Sequence, residues 1–413
     1  MKLQLHWQIL IAMVAGVLFQ AALGAQASFV EPLGLLFIRL LRMIVLPLVF
    51  FSIVLGVGRL GDFSALGRLA GKTILYFLGT SALAILTGLF LVNLIQPGRN
   101  VQPAFQLEFD AGSLPKPDSI TGLLARLIPP NPVAAAVEGD MLGWIVFSIF
   151  LGVGITRLSE ARRRVLISLL DVGFEALMKI THGVIRLAPL GVFGLMVRMM
   201  NQQVGGGFFQ AVGWYMVTIA LGLAFHFLVT QPLLYYALTR RNPLELYRAM
   251  APALLTVFAT SSSMATLPVT MECVEERLGV APRIAGFVLP VGATVNMDGT
   301  ALFECVGVLF IAQVLGVSLG WDQQLLVMVT ALLASIGAAA VPSSGLVMIF
   351  IVLDAVGLDH ELVPMIVGTM LAVDRPLDMM RGLVNIMGDA VGAVFVALSE
   401  GEPVGEVADP GTG

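Results

Sequence analysis

Residues 373–389 read VDRPLDMMRGLVNIMGD, a segment in which polar side chains recur within apolar sequence. This polar stripe consists of Asp374, Asp378, Arg381, Asn385 and Asp389. Spacings of three and four residues place these side chains on one face of a helix, over roughly 22 Å at a rise of about 1.5 Å per residue. That length is most of the hydrocarbon thickness of a bilayer, where charged side chains usually face a partner or a water-filled cavity. The stripe therefore predicts a membrane protein that handles a charged substance.

The composition of the whole chain agrees with a membrane location. Of 413 residues, 58% are hydrophobic and 12% are charged, and the mean hydropathy is +0.93, unlike a soluble domain. Apolar runs of about 20 residues, the length that crosses a bilayer, lie near 7–26, 34–58, 73–95, 141–157, 164–199, 207–238, 284–318, 324–353 and 361–398. We therefore expect an all-α polytopic membrane protein.

The N-terminal run is predicted to be a transmembrane helix rather than a cleaved signal peptide. Lys2, an apolar run and the sequence AQA at 25–27 imitate a signal peptide, but the run is long for one and another apolar run follows at once. Cys273 and Cys305 lack the spacing of a metal site and are interpreted as small packing residues. The four histidines are scattered along the chain, so a histidine metal site is not expected.

Basic residues indicate the orientation of the chain. With a cytoplasmic N-terminus and two segments that enter and return on the same side, the cytoplasmic basic residues are Lys2, Arg59, Arg68, Lys72, Arg157, Arg162, Arg163, Arg164, Arg240, Arg241, Arg248, Arg277 and Arg283. The external ones are Arg99, Lys116, Arg126 and Arg198. This excess follows the positive-inside rule and predicts a multi-pass protein with both termini in the cytoplasm. If each of the two segments instead crossed the membrane twice, the two termini would still lie on the same side.

Two segments are predicted to enter the membrane and return. Residues 260–268 read TSSSMATLP and residues 334–345 read ASIGAAAVPSSG, and both combine small residues with a proline. The backbone groups that such sequences free must be buried in protein or line a wet cavity. Polar residues in the apolar helix that follows each segment are typical of a transporter site at the bilayer midplane. The alternative is that the small residues only let helices pack closely.

Four stretches resemble the signature regions of the glutamate transporter family, the sodium:dicarboxylate symporters. They are TSSSMATLPVT, VLPVGATVNMDGTALFE, SIGAAAVPSSG and VDRPLDMMRGLVNIMGD, and they are supported by LRMIVLPLVF, YFLGTS and NLIQPG. The resemblance implies a homotrimer of eight transmembrane helices and two re-entrant helical hairpins, with a scaffold and an elevator-type transport domain. The implied division is scaffold at 1–66, transport domain at 67–96, external loop and scaffold at 97–200, transport domain at 201–399 and a frayed cytoplasmic tail at 400–413.

The resemblance assigns a substrate site to the polar stripe and the hairpin tips. The guanidinium of Arg381 is a planar, permanently charged fork that suits a substrate carboxylate, although an ion pair with a neighbouring aspartate is the alternative. Asp378 suits an α-ammonium and favours aspartate or glutamate over succinate or malate, and the Asn385 amide suits an α-carboxylate. The implied substrate-binding residues are Ser261, Ser262, Ser263, Thr300, Val341, Gly345, Asp378, Arg381, Gly382 and Asn385.

Asp298 and Asp389 have no fixed cation at their own depth, so we expect a metal ion or a proton to neutralise them. Oxygen ligands, including carbonyls where a helix unwinds, suit Na⁺. The sequence NMDG at 296–299, with a glycine and two short polar residues, is the predicted unwound point. The sodium-site residues implied by the resemblance are Phe77, Thr80, Ser81, Gly292, Thr294, Asn296, Asp298, Ser335, Ile336, Ala338, Asn385 and Asp389. Protonation of these acids would instead make a proton symporter. Glu304 matches a glutamate that carries a proton in part of the family, and it is the candidate proton carrier.

Some positions depart from the commonest pattern of the family. Gly382 stands where many members have threonine, so a larger pocket is expected and a C4-dicarboxylate substrate stays open. Ser261 and Met379 stand where members often have an additional arginine, and Arg375 is the candidate replacement.

Other function classes fit these residues less well. An intramembrane aspartyl protease would pair acids such as Asp298 and Asp378, but Arg381 would hold an aspartate ionised and prevent proton sharing. A channel would show rings of like charge or carbonyls along a pore. The sequence therefore predicts a cation-coupled transporter of acidic amino acids, with Na⁺ as the expected ion, rather than an enzyme. Proton-coupled or C4-dicarboxylate symport is the alternative.

The expected partners are a small acidic substrate, membrane lipid and two further copies of the chain, without nucleic acid. No Asn-x-Ser/Thr sequon occurs, so the expected location is a prokaryotic plasma membrane.

Overall fold

The computed structural model describes residues 5–59, 63–99, 101, 128–138, 140–201, 206–337, 344–358, 360, 362–402 and 404–405. This part of the chain is all-α, as predicted, and contains no strand. Its helices are α1 Leu5–Leu23, α2 Glu31–Gly58, α3 Phe63–Ile95, α4 Pro132–Glu138, α5 Met141–Thr156, α6 Glu160–Arg186, α7 Ala188–Asn201, α8 Gly206–Phe225, α9 Gln231–Thr239, α10 Pro243–Thr260, α11 Ser263–Glu272, α12 Pro282–Val295, α13 Asp298–Val314, α14 Trp321–Gly337, α15 Ser344–Ala355 and α16 Val363–Ser399. Most of the predicted external loop at 97–131 lies outside the described residues.

Several helical stretches are long and apolar enough to cross a membrane. Five such stretches lie at Trp7–Gly58, Gly67–Ile95, Gly207–Thr239, Pro282–Val314 and Val363–Ser399 among the described residues. A sixth results if α6 and α7, which are bent by 48° relative to each other, form one span. Gly143–Thr156 and Trp321–Ile336 are shorter apolar helices. These lengths agree with a multi-pass membrane protein.

The helices pack in two groups. In the first, α2 lies against α5, α6 and α7, and α1 packs on α7. In the second, α16 is the central helix and contacts α3, α8, α9, α10, α11, α12, α13 and α15. The two groups meet where α16 contacts α1 and α7. The polar stripe of α16 is therefore surrounded by protein rather than by lipid.

Two pairs of helices fold back on themselves at the predicted interrupted segments. α10 and α11 contact each other across a tip at Ser261, whose φ of 54° lies in the left-handed region. Ser262 then caps α11, because its Oγ accepts a hydrogen bond from the Ala265 N–H over 3.2 Å. α14 and α15 also contact each other, and the residues that join them, 338–343, lie outside the described part of the chain.

The apolar segment at 282–314 is interrupted where the sequence predicts an unwound point. α12 ends at Val295, Asn296 is extended with a ψ of 90°, and α13 begins at Asp298. A break inside an apolar segment frees backbone groups that must find partners in the protein. Here the Asn296 side chain itself donates to neighbouring oxygens of α16, and the break is thereby held against that helix.

The start of the C-terminal tail is held by hydrogen bonds, so the predicted frayed end does not begin at residue 400. The Lys72 ammonium donates to Glu400 Oε1 over 2.6 Å, and Arg241 donates to the Val404 carbonyl over 2.9 Å. The Gly405 N–H donates to the Gly279 carbonyl over 3.3 Å. These contacts tie the end of α16 to α3 and to the turn that precedes α10.

The ion pair of Glu400 predicts a pH dependence of stability. The Lys72 ammonium and the Arg68 guanidinium hold the pKa of the Glu400 carboxyl below its ordinary value. A lowered pKa in the folded state contributes stability above the ordinary pKa, and that contribution is lost as the pH falls through the lowered value.

We expect Glu400→Gln to lower the thermal midpoint near neutral pH, and the difference from wild type to shrink as the pH falls below about 4. Thermal unfolding in detergent over this pH range measures both curves. Glu272→Gln, at an exposed carboxyl, is the control, and a constant difference at every pH would contradict the assignment.

Candidate functional site

Arg381 is an ion-paired cation in the middle of α16. One of its terminal nitrogens, Nη2, donates to Asp374 Oδ1 over 3.0 Å and to Asp378 Oδ1 over 2.7 Å. All three side chains are buried. The expected ion pair therefore exists, and it uses only one edge of the guanidinium. The arginine charge is compensated in the protein before any anion arrives, which lowers the cost of holding it at this depth.

Two nitrogens of Arg381 have no hydrogen-bond partner among the described residues. They are Nε and Nη1, which are buried, and the guanidinium carbon lies 4.0 Å from the centroid of the Phe303 ring. A Cβ added to Gly345, at the start of α15, would collide with Nη1, so this nitrogen lies directly against α15. Buried donors without partners are costly. An anion beside Nη1 would satisfy the donors there, and a carboxylate is a good acceptor for a guanidinium.

Glu304 lies in α13 and directly follows Phe303, the residue whose ring the Arg381 guanidinium covers. Its side chain is fully buried, and neither carboxyl oxygen has a hydrogen-bond partner among the described residues. A charged carboxylate without a partner is costly at membrane depth, whereas a carboxyl group that carries a proton is not. The surroundings of Glu304 therefore suit a group that binds and releases a proton.

The break between α12 and α13 brings Asn296 onto α16. Asn296 Nδ2 donates to the Asn385 carbonyl over 3.1 Å and to Asp389 Oδ1 over 2.8 Å. The Gly299 N–H donates to Asn385 Oδ1 over 2.9 Å. A Cβ at Gly292 would collide with Asp389 Oδ1, so this carboxylate lies directly against the backbone of α12. Carboxylate, amide and carbonyl oxygens are thus concentrated at one point, as a hard cation requires.

Asp298 forms a second cluster of oxygens with α3. Its Oδ1 accepts hydrogen bonds from Ser81 Oγ over 2.6 Å and from Thr80 Oγ1 over 3.2 Å. The predicted grouping of Thr80 and Ser81 with Asp298 is therefore present. Thr80 also donates to the Phe77 carbonyl over 3.1 Å, which places a further predicted residue beside this cluster.

His226 is a member of this cluster that the sequence analysis missed. It lies in a π-helical turn, His226–Thr230, and is fully buried, with Nε2 3.2 Å from Asp298 Oδ2. From the sequence alone the histidines are only scattered residues, and no partner is assigned to His226. A histidine inside an apolar run was the available signal, but its partner is 72 positions away in sequence. A π-helical turn often marks a functional site.

The remaining predicted cation residues are oriented in different ways. The Thr294 hydroxyl donates to the Val291 carbonyl over 2.9 Å, and the Ser335 hydroxyl donates to the Leu332 carbonyl over 3.0 Å. Both hydroxyls thus donate within their own helices. Ile336 and Gly337 are the last two residues of α14, and Ala338 lies outside the described residues.

The predicted substrate residues of the first hairpin lie at its tip. Ser261 Oγ is buried without a partner among the described residues, whereas the Ser262 hydroxyl is occupied as the cap of α11. Ser263 is buried, as is Thr300 at the start of α13. Val341, the predicted residue of the second tip, lies outside the described residues. Ser261 therefore offers a buried hydroxyl without a partner among the described residues at this tip.

The expectation that Gly382 enlarges the pocket is wrong. A Cβ at Gly382 would lie 2.8 Å from Val257 Cγ2, so a methyl group of α10 occupies the space above this glycine. Arg375, the candidate replacement for a missing arginine, has its Nη1 3.6 Å from Asp378 Oδ2. Arg375 thus adds a positive charge beside the predicted amino-group ligand.

Comparison with known proteins identifies the family of the chain. The model of the sodium:dicarboxylate symporter family matches residues 5–399. The chain is similar to an excitatory amino acid transporter of Caenorhabditis elegans, with 36% identity over 410 residues that cover 88% of this chain and 80% of the relative. It is also similar to excitatory amino acid transporter 3 of Mus musculus, with 34% identity over 454 residues that cover 95% of this chain and 85% of the relative. A match over nearly the whole length includes the break, both hairpins and the polar stripe. The chain therefore belongs to the sodium:dicarboxylate symporter family.

Proposed function

We propose that the protein couples the uptake of acidic amino acids, L-aspartate or L-glutamate, to sodium ions. The observation that carries this proposal is that Nε and Nη1 of the buried Arg381 guanidinium have no hydrogen-bond partner among the described residues. The guanidinium is held in position by the two aspartates on Nη2 and by the Phe303 ring. A fixed cation with unpartnered donors selects an anionic group such as a carboxylate.

Asp378 and Asn385 extend this carboxylate site into an amino-acid site. Both side chains lie on the same face of α16 as Arg381, one turn away on either side. A carboxylate can accept hydrogen bonds from an α-ammonium, and an amide can donate to an α-carboxylate. The names of the relatives, excitatory amino acid transporters, agree with such a substrate. The further substrate residues of the proposal are Ser261, Ser262, Ser263, Thr300, Val341, Gly345 and Gly382.

The two oxygen clusters are the proposed sites of the co-transported sodium ions. Asp389 with Gly292, Asn296 and Asn385 forms one, and Asp298 with Thr80, Ser81 and Phe77 forms the other. The observed contacts leave the Asp389 carboxylate with one amide donor and no basic side chain, so a cation would compensate its charge. Backbone carbonyls near Thr294, Ser335, Ile336 and Ala338 are proposed as a third site.

The proposed architecture follows the two packing groups. α1, α2 and α5–α7 form the scaffold, and the helices around α16 form a transport domain that moves across the membrane with its ligands. Both termini are proposed to lie in the cytoplasm. A homotrimer is proposed on the resemblance to the family alone.

Glu304 favours a second candidate, in which a proton moves together with sodium. The specific observation is its complete burial without any hydrogen-bond partner among the described residues, beside the ring that Arg381 covers. Moving such a carboxyl group across the membrane costs little free energy only when the group carries a proton. Proton coupling would then add to the sodium coupling at Asp298 and Asp389.

Uptake into proteoliposomes tests the proposed function. We expect radiolabelled L-aspartate to accumulate when an inward sodium gradient is imposed, and unlabelled L-glutamate to compete. A pH gradient without sodium is tested in parallel. Uptake driven by this gradient alone would mean that protons, rather than sodium ions, bind at Asp298 and Asp389. Accumulation of succinate without aspartate would move the substrate to the C4-dicarboxylates.

A further inference from the structure

Val257 and Gly382 interlock between the first hairpin and the central helix. A Cβ at Gly382 would lie 2.8 Å from Val257 Cγ2 and 3.7 Å from the Val257 carbonyl oxygen. Both residues are buried, and α10 packs along α16 at this level. A valine side chain in a helix has one strongly preferred rotamer, so its methyl group does not move aside easily. The valine therefore occupies the space that any side chain at position 382 would need.

The backbone of Val257 also closes the last turn before the hairpin tip. Its carbonyl accepts the Ser261 N–H over 2.7 Å, and Ser261 is the residue in the left-handed conformation that ends α10. The Val257 side chain thus fixes α10 against α16 one helical turn from the tip. The residue that it meets on α16 is the direct neighbour of Arg381. One side chain therefore sets the distance between the tip serines and the guanidinium.

We propose that Val257 is a positioning residue for the acidic substrate, one that acts by holding the Ser261–Ser263 tip at a fixed distance from Arg381. The inference rests on the proposed function, since it assumes that the substrate lies between this tip and the polar stripe. It assigns a role to a residue outside the predicted site and replaces the expectation of an enlarged pocket at Gly382. A methyl group of Val257, in helix α10, fills the space next to Gly382 and beside Arg381, so this space is not filled by a side chain of α16.

The pair is reciprocal, because each single substitution disturbs the contact and the double one relieves the disturbance. Gly382→Ala adds a methyl group where none fits, which pushes α10 away from α16. Val257→Ala removes two methyl groups and leaves a void at the same place. In the double variant the methyl group added at position 382 occupies part of that void, so the clash is removed and the net loss is one methyl group. A small loss of volume is tolerated better in a packed interior than an added group that does not fit.

Equilibrium binding of L-aspartate in the presence of sodium, measured on four full-length proteins, tests the proposal. They are the wild type, Gly382→Ala, Val257→Ala and the double variant. We expect Gly382→Ala to bind aspartate about tenfold more weakly, and the double variant to return to within about threefold of the wild type. The thermal midpoint of each protein without aspartate is measured in parallel.

Gly368 provides the matched control. It lies in α16 as well, and a Cβ at this position would collide with Leu195 of α7, away from the site. Gly368→Ala is expected to lower the thermal midpoint without changing aspartate affinity, and Val257→Ala is not expected to rescue that midpoint. A purely structural role of Val257 would give the same pattern at Gly382, with coupled midpoints and unchanged affinity.

The outcomes separate this inference from the proposed function. If the wild type binds aspartate and the two substitutions weaken binding additively, or not at all, the positioning role is overturned. If the wild type binds succinate instead, the substrate of the proposed function is wrong, and the same four affinities for succinate decide the role of Val257. If it binds neither, the proposed function and the positioning role both fail.

Discussion

Arg381→Ala is expected to abolish measurable binding of acidic amino acids. The substitution removes the guanidinium donors that have no partner among the described residues, and it leaves Asp374 and Asp378 buried without the arginine that they pair with. Loss of one partner of a buried, hydrogen-bonded charge pair costs roughly 2–5 kcal/mol, which corresponds to about a 30-fold to several-thousand-fold weaker affinity. The measurement is sodium-dependent aspartate binding to purified protein.

A second variant separates the loss of binding from a loss of folding. Arg381→Lys keeps the positive charge that Asp374 and Asp378 require, but it lacks the fork that holds a carboxylate by two parallel bonds. We expect this variant to fold and still to bind aspartate much more weakly than the wild type. Arg99→Gln, at an exposed arginine that donates to Gln96, serves as the charge control with unchanged binding. Wild-type affinity in Arg381→Lys would rule out the bidentate carboxylate site.

Asp389→Asn is expected to weaken the dependence of substrate binding on sodium. The asparagine keeps the shape of the side chain and an oxygen that can accept the bond from Asn296 Nδ2, so only the negative charge is lost. An interaction with a charged group contributes about 1.5–3 kcal/mol, so we expect the sodium concentration for half-maximal binding to rise by about tenfold or more. A sodium titration at fixed aspartate concentration measures this shift.

The control for Asp389→Asn removes a carboxylate of the same kind elsewhere. Asp322 lies exposed in the first turn of α14, so Asp322→Asn should leave the sodium titration unchanged. If Asp389→Asn binds aspartate with the sodium dependence of the wild type, the cluster of Asp389, Asn296 and Asn385 is not a sodium site.

Much of the site could be predicted because its residues repeat at helical spacing. The five side chains of the polar stripe lie on one helix and are all buried, each at most 8% exposed. The interruption at Asn296 and the tip at Ser261 could also be predicted, since short polar residues and small residues disfavour a continuous helix locally. These features depend on neighbours within a few positions, which a single sequence displays directly.

Contacts between distant segments could not be predicted in this way. Nothing near His226 in the sequence indicates that its ring lies beside Asp298, and the C-terminal residues Val404 and Gly405 read as a loose tail although Arg241 holds the first of them. The sequence predicts a larger pocket at Gly382, where many family members have threonine. It does not show that Val257, which lies 125 positions earlier, fills that space.

An all-α membrane protein with a charged face on its last helix can be predicted from the amino-acid sequence, because hydrophobic length and helical periodicity are properties of contiguous residues. Which nitrogens of Arg381 are unpartnered, which carboxylate contacts a histidine and which methyl group packs on Gly382 are visible only in the folded protein. Those outcomes depend on how helices from opposite ends of the chain pack, and packing is set by the shapes of many side chains together.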